Sequence, residues 1–178
     1  NILPMTSERV ETHILTSEGK MHFQEYLIRN RMLPTVLGIE FENIVNAKPA
    51  DTLLEIIRES DLVIYSPSNP LISIDPILEV KGIYDEIKMS DSKKVAISPI
   101  VNDKAFKGPI LNLMKLKGLE LSVLGVAEYY KKKADFLLID NSDKHYEKRI
   151  KEFGLEPIIT NINMTSKDVS FNTVSYTH

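Results

Sequence analysis

The chain has 178 residues, 43% of them hydrophobic and 26% charged, a composition that buries a core rather than staying unfolded. It contains no cysteine, which excludes a disulfide scaffold, a thiolate metal site and a cysteine nucleophile. A formal net charge of −3 gives no overall basic balance for nucleic acid or an anionic membrane, and no apolar run approaches the roughly 20 residues of a membrane span.

Along the chain the hydrophobic pattern switches between strand-like and helix-like periods, the signature of alternating β and α elements. Residues Arg9 to Thr16 alternate as a strand, Ser17-Glu18-Gly19-Lys20 reads as a tight turn, Phe23 to Arg31 as a helix and Thr35 to Glu42 as a second strand. A helix is predicted from Pro49 to about Ser60, with Thr52 and Glu55 at capping-box spacing. Three short apolar runs follow: Leu62-Val63-Ile64-Tyr65, Val95-Ala96-Ile97 and Phe136-Leu137-Leu138-Ile139. Such continuous runs suit strands buried on both faces of a parallel sheet. Helical stretches at Ile83 to Met89, Ile110 to Lys117 and Val123 to Lys132 lie between them. Ser142 or Asp143 is placed to cap a further helix that stops at Gly154, and Leu155 to Thr160 is a last strand, with Pro157 putting it near an edge or a start. Asn163 to His178 is polar and patternless, a tail expected to be loose. The expected architecture is α/β, Rossmann-like and doubly wound around a mostly parallel sheet.

In open parallel sheets ligands sit beyond the carboxyl ends of the strands, so the residues after each apolar run become candidates. Ser66-Pro67-Ser68-Asn69-Pro70 is stiffened by two prolines and offers Ser66, Ser68 and Asn69 to a polar ligand or phosphate. The same residues equally suit a connection whose side chains cap backbone groups. At Lys107-Gly108-Pro109 a helix start, a close backbone approach at Gly108 and the Lys107 ammonium combine into an anion site, or into a capped helix with a solvated lysine. Arg29 either reaches a phosphate or pairs with Glu25 four residues back. His13, His22, His145 and His178 show no ligand spacing, and Lys131-Lys132-Lys133 complements a helix C-terminus. No Gly-x-Gly-x-x-Gly or Walker-type loop is present, and seven glycines are few for a self-contained nucleotide enzyme.

The strings ILPMTSERVETHI (Ile2 to Ile14), FQEYLIRN (Phe23 to Asn30), SDLVIYSPSNPLISIDPIL (Ser60 to Leu78), VAISPIV (Val95 to Val101), KAFKGP (Lys104 to Pro109) and GVAEYY (Gly125 to Tyr130) resemble the 2-phospho-L-lactate transferases of coenzyme F-420 biosynthesis. The resemblance implies a cytoplasmic enzyme that moves a phospholactyl group from lactyl-diphospho-guanosine to the ribityl hydroxyl of the deazaflavin Fo, with GMP leaving and Mg²⁺ assisting. It implies that Ser66, Ser68 and Asn69 hold the donor, that Lys107 and the Gly108 amide stabilise phosphate charge, and that Arg29 is a further contact for donor carboxylate or phosphate. Thr6 and Ser7 would approach the deazaflavin. Homodimers are compatible with the pattern, and no nucleic acid or membrane partner is expected. A sister group of sugar-nucleotide-binding, gluconeogenesis-factor-like regulators shares the fold and is the alternative. Its site loop reads G-P-G-S-L-x-T-S-I where SPSNPLISI stands here. Family members start with a strand and a G-G-T-G-type loop, and that half also carries the expected metal aspartates. Residues 1–162 are therefore expected to be the C-terminal part of one α/β transferase domain, its sheet incomplete without an N-terminal βαβ portion, and inactive alone.

Overall fold

A computed structural model describes residues 2–105 and 109–162. Two compact units divide the chain, and the first is drawn from Asn1–Glu59, Asn69–Ser90 and Gly108–Lys117. Its sheet has three antiparallel strands, β1 (Glu11–Thr16), β2 (Gly19–His22) and β3 (Val36–Glu42), in the order β2-β1-β3. The turn at Ser17-Glu18 closes because Gly19 takes φ 115°, a conformation L side chains rarely adopt, and Thr16 Oγ1 donates to Gly19 O at 2.9 Å. One face of β1 is buried through Ile14, while Lys20 on the other face bridges Glu40 (2.6 Å) and Glu42 (3.0 Å) across β1. Strand β2 is a correction to the sequence reading, which took Gly19-Lys20 for the end of a turn. Four residues with one apolar member, Met21, carry too little alternation to announce a strand.

The segment expected to be a helix from Phe23 to Arg31 closes as a π-helical turn at Glu25–Arg29. Tyr26 is its buried residue, and its hydroxyl donates to Met32 O at 3.3 Å. That contact sits beside two consecutive left-handed residues, Arg31 (φ 48°) and Met32 (φ 59°). Among its described residues the unit also holds four α-helices: α1 (Leu53–Glu59), α2 (Asp75–Leu78), α3 (Ile83–Met89) and α4 (Ile110–Leu116). Helix α1 starts later than predicted because Thr52 has φ 66°, which is incompatible with the extended backbone of a capping residue.

Helix α1 buries no residue fully, and an ion pair helps tie it to α3. Arg58 Nε and Nη2 donate to the two carboxylate oxygens of Glu86 at 2.8 and 3.0 Å. The Arg58 guanidinium holds the Glu86 carboxyl below the usual carboxylate range. A depressed acid stabilises the fold above its unfolded pKa and loses that contribution as pH falls through the folded one. Arg58→Ala is therefore expected to unfold at lower temperature than wild type at neutral pH, with the gap narrowing as pH falls below the unfolded glutamate value of about 4.3. Calorimetry across that range checks this, and an unchanged gap in acid would assign the effect to packing of the Arg58 stem.

The second unit is drawn from Ser60–Ser68, Asp91–Lys107 and Gly118–His178. It holds a parallel sheet of β4 (Leu62–Tyr65), β5 (Lys93–Ile97), β8 (Phe136–Asp140) and β9 (Glu156–Thr160), in the order β4-β5-β8-β9. Between β5 and β8 lie a two-stranded hairpin, β6 (Ile100–Val101) with β7 (Lys104–Ala105), and helix α5 (Val123–Tyr130). Helix α6 (Glu147–Glu152) connects β8 to β9 and stops at Gly154, whose φ of 81° supplies the expected left-handed exit. The α/β architecture with a parallel sheet is thus what the apolar runs specify. Val95, Ile97, Leu138 and Ile162 form one buried cluster on the sheet. Tyr65, of opposite parity, lies against Tyr130 of α5 with ring centroids 5.2 Å apart. Strand β9 is an edge strand, the position Pro157 allows.

Candidate functional site

The carboxyl ends of β4, β5 and β8 carry a row of polar residues, two of which, Ser98 and Asp140, turn their side chains onto main chain. After β4, the Ser68 amide donates to Ser66 O at 2.7 Å, which curls the loop. After β5, buried Ser98 donates its hydroxyl to Ile100 O (2.8 Å) and accepts Ile100 N–H (3.1 Å). After β8, Asp140 accepts from Ser142 N (3.0 Å) and Ser142 Oγ (2.8 Å), and its second oxygen accepts from Ile162 N (3.2 Å). Asp140 is therefore the cap of the turn that leads into α6, in place of the Ser142 or Asp143 expected from the sequence. An aspartate at the strand's last residue reaches the following N–H groups, whereas Asp143 is already inside the turn.

Asp143 does something else, which sequence reasoning missed. It is fully buried, and both of its oxygens accept the Asn102 N–H at 3.1 Å. Asn102 (φ 50°) and Asp103 (φ 56°) make the left-handed turn of the β6–β7 hairpin, and Tyr146 donates its hydroxyl to Asp103 at 3.2 Å. The visible signals were the Asn-Asp pair between short apolar runs and a second aspartate three residues after Asp140.

Asn69 belongs to the antiparallel unit, directly after Ser68 in the chain. Its Oδ1 accepts Leu71 N–H at 3.0 Å and caps the π-helical turn Pro70–Ile74. That bond fixes which end of the amide is nitrogen. The nitrogen, Nδ2, is buried without a hydrogen-bond partner among the described residues, a state that costs about 1–3 kcal/mol unless a ligand accepts from it. One end of the amide caps the turn, and the other is a donor with no partner among the described residues.

The remaining candidates divide. The Thr6 hydroxyl is committed to the Glu8 carboxylate and accepts Glu8 N–H at 3.2 Å, while Ser7 is exposed. Arg29, largely exposed, pairs with Glu25 at 3.2 Å, the bond its spacing offered. Thr6, Ser7 and Arg29 belong to the antiparallel unit, as Asn69 does; Ser66 and Ser68 belong to the other. Lys107 and Gly108 lie outside the described residues. The Mg²⁺ implied by the resemblance finds no set of three or more Asp, Glu or His side chains among the described residues. Asp103, Asp140 and Asp143 are occupied by Tyr146, by backbone amides and by Asn102, so no step is derived through a metal here.

The profile of CofD, 2-phospho-L-lactate transferase, matches residues 1–175. The chain belongs to the 2-phospho-L-lactate transferase family. The 2-phospho-L-lactate transferase of Methanocaldococcus jannaschii is 43% identical over 171 residues, covering 94% of this chain and 53% of that protein. The one from Methanothermobacter thermautotrophicus is 38% identical over 163 residues, covering 92% and 52%. The chain thus spans about half the length of the family members it matches. Among solved structures, protein BH3568 of Bacillus halodurans superposes with a TM-score of 0.65 at 19% identity, over 98% of this chain and 60% of that one. A second structure of bh3568, described as a member of the upf0052 family, gives 0.59 at 18% identity. At that identity the likeness shows the shared fold alone. None of the described helices is long and apolar enough to cross a membrane.

Proposed function

We propose that the protein transfers a 2-phospholactyl group from lactyl-2-diphospho-5′-guanosine to the terminal ribityl hydroxyl of Fo. Family membership across residues 1–175 carries this reading. The hydroxyl oxygen attacks the phosphorus that bears the lactate, the bond from that phosphorus to the GMP oxygen breaks, GMP leaves with the electron pair, and the hydroxyl proton is lost. Such chemistry rests on positioning and charge neutralisation more than on covalent help from the protein. Ser66 and Ser68 on one unit and, separately, the Asn69 Nδ2 donor on the other are the candidates for holding the donor's diphosphate. Lys107 and the Gly108 amide neutralise the transferred phosphoryl group, Arg29 reaches the donor carboxylate or phosphate by leaving Glu25, and Ser7, with the Thr6 backbone, approaches the deazaflavin.

The reaction is proposed for the whole protein, and the 178-residue chain by itself is expected not to turn over. A spectral titration with Fo, together with thermal shifts in GDP and in a UDP-sugar, tests the assignment on the intact protein. Saturable Fo binding and stabilisation by GDP are expected. Stabilisation by the UDP-sugar alone, without Fo binding, would replace this reading with that of a sugar-nucleotide-binding regulator. Lys107→Ala in the intact enzyme is expected to slow transfer by about a hundredfold, the scale of losing a preorganised charge at a reacting oxygen. Unchanged rate and donor affinity would make Lys107 an ordinary surface lysine.

A further inference from the structure

The Asp143 carboxylate has no exposed surface, and the described residues give its two oxygens a single hydrogen between them, the Asn102 N–H at 3.1 Å from each. An ionised carboxylate has room for about four donors, so this one is under-solvated. The charged groups acting on it are Asp103 on the hairpin turn, Asp140 at the end of β8 and His145 on its own segment. Two of those three repel its charge. We propose that Asp143 is a positioning residue whose ionisation sets how firmly the β6–β7 hairpin is held at the carboxyl end of the parallel sheet, firmly when the carboxyl is protonated and loosely when it is charged.

The geometry supplies the two states. With a proton on the carboxyl, its carbonyl oxygen still accepts the Asn102 N–H, and the repulsion from Asp103 and Asp140 disappears. Without that proton, the buried charge gains solvation whenever the turn lifts and water enters. Burial first, then the two aspartates, push the Asp143 pKa above the ordinary Asp value, against the Asn102 N–H and His145. An acid whose folded-state pKa is raised stabilises the closed form below its unfolded pKa, and that contribution fades as pH rises through the folded one. The hold therefore weakens toward neutral pH, opposite to the Arg58–Glu86 pair. The hairpin directly follows Ser98 and Pro99 at the end of β5, so its looseness governs how the backbone at this rim yields.

Hydrogen exchange on the intact protein, normalised to intrinsic rates, tests this without any substrate, so its outcome stands apart from the transferase reading. As pH falls from neutral to the ordinary aspartate value of about 3.9, protection of the Asn102 amide is expected to rise severalfold, with the Ile97 and Leu138 amides as internal references. In Asp143→Asn, which keeps an acceptor and removes the charge, protection at Asn102 is expected to be high and flat with pH. In Asp143→Ala it is expected to be low throughout. Protection in wild type that is flat, that falls toward acid or that changes equally at the reference amides would overturn the proposal, as would wild-type pH dependence in Asp143→Asn. If the variants do not fold, the wild-type series alone decides.

Discussion

Asn69→Asp in the intact protein is expected to keep its cap, to lose stability by about 1–3 kcal/mol because a carboxylate oxygen is buried unpaired, and to bind guanine nucleotide at least about tenfold more weakly. The substitution keeps an oxygen where Oδ1 now accepts the Leu71 N–H, so the cap on Pro70–Ile74 survives. At the other end it replaces the buried Nδ2 donor with an oxygen that repels a diphosphate. Asn69→Ala removes both ends and is expected to lose the cap, about 1 kcal/mol, as well as the nucleotide. Thermal unfolding measured alongside a nucleotide titration separates the two roles. Wild-type nucleotide affinity in Asn69→Asp would show that Nδ2 is only a buried group and not a ligand contact.

Leu138→Ala carries the largest expected stability loss, about 2–5 kcal/mol. Leu138 is fully buried in β8, paired between Ile97 and Ile158, and packs in the cluster with Val95, Ile97 and Ile162. Its backbone carbonyl accepts Ser98 N–H at 2.9 Å whatever side chain it carries, so the effect isolates packing from the ladder. Against a typical domain stability of about 5–15 kcal/mol, such a loss is large. Urea unfolding is the measurement, with the midpoint falling and the slope unchanged. A loss below about 1 kcal/mol would mean that the cluster collapses around the gap.

What could be read in advance followed burial and polarity pattern. The runs Leu62–Tyr65, Val95–Ile97 and Phe136–Ile139 announced three strands of the parallel sheet, β5 and β8 because a strand covered on both faces has no polar side to interrupt it, and β4 although its Ile64 is exposed. Helix α3 fell on its predicted bounds, since its buried Ile83 and Ile87 stand one helical turn apart. The antiparallel sheet was only half legible. Residues 9–16 and 35–42 alternate, but β2 is too short to do so, and the left-handed Thr52 that delays α1 depends on the surrounding chain rather than on threonine's own preference. Strand-end logic picked out the polar residues that follow β4, β5 and β8 as candidates. It could not tell that Asp140 rather than Ser142 or Asp143 caps the turn, because all three have the chemistry and only backbone direction chooses between them. The lone donor of Asn69 was equally invisible, since a sequence does not show which end of an amide is spent.

The two sheets differ in how far apart in the chain their partners lie. Strands β1 and β2 are joined through Ser17 and Glu18, and β3 follows within the next 20 residues, whereas β4 begins at Leu62 and β9 ends at Thr160. Closing the short loop takes microseconds, but aligning distant parallel strands requires a long search through unproductive chain conformations. On a ribosome, where roughly 5–20 residues are added each second, the antiparallel hairpin can form and dissolve many times before β8 exists. Slow codons or a chaperone would therefore matter in the stretch between β5 and β9, where nascent apolar strands wait for partners not yet synthesised.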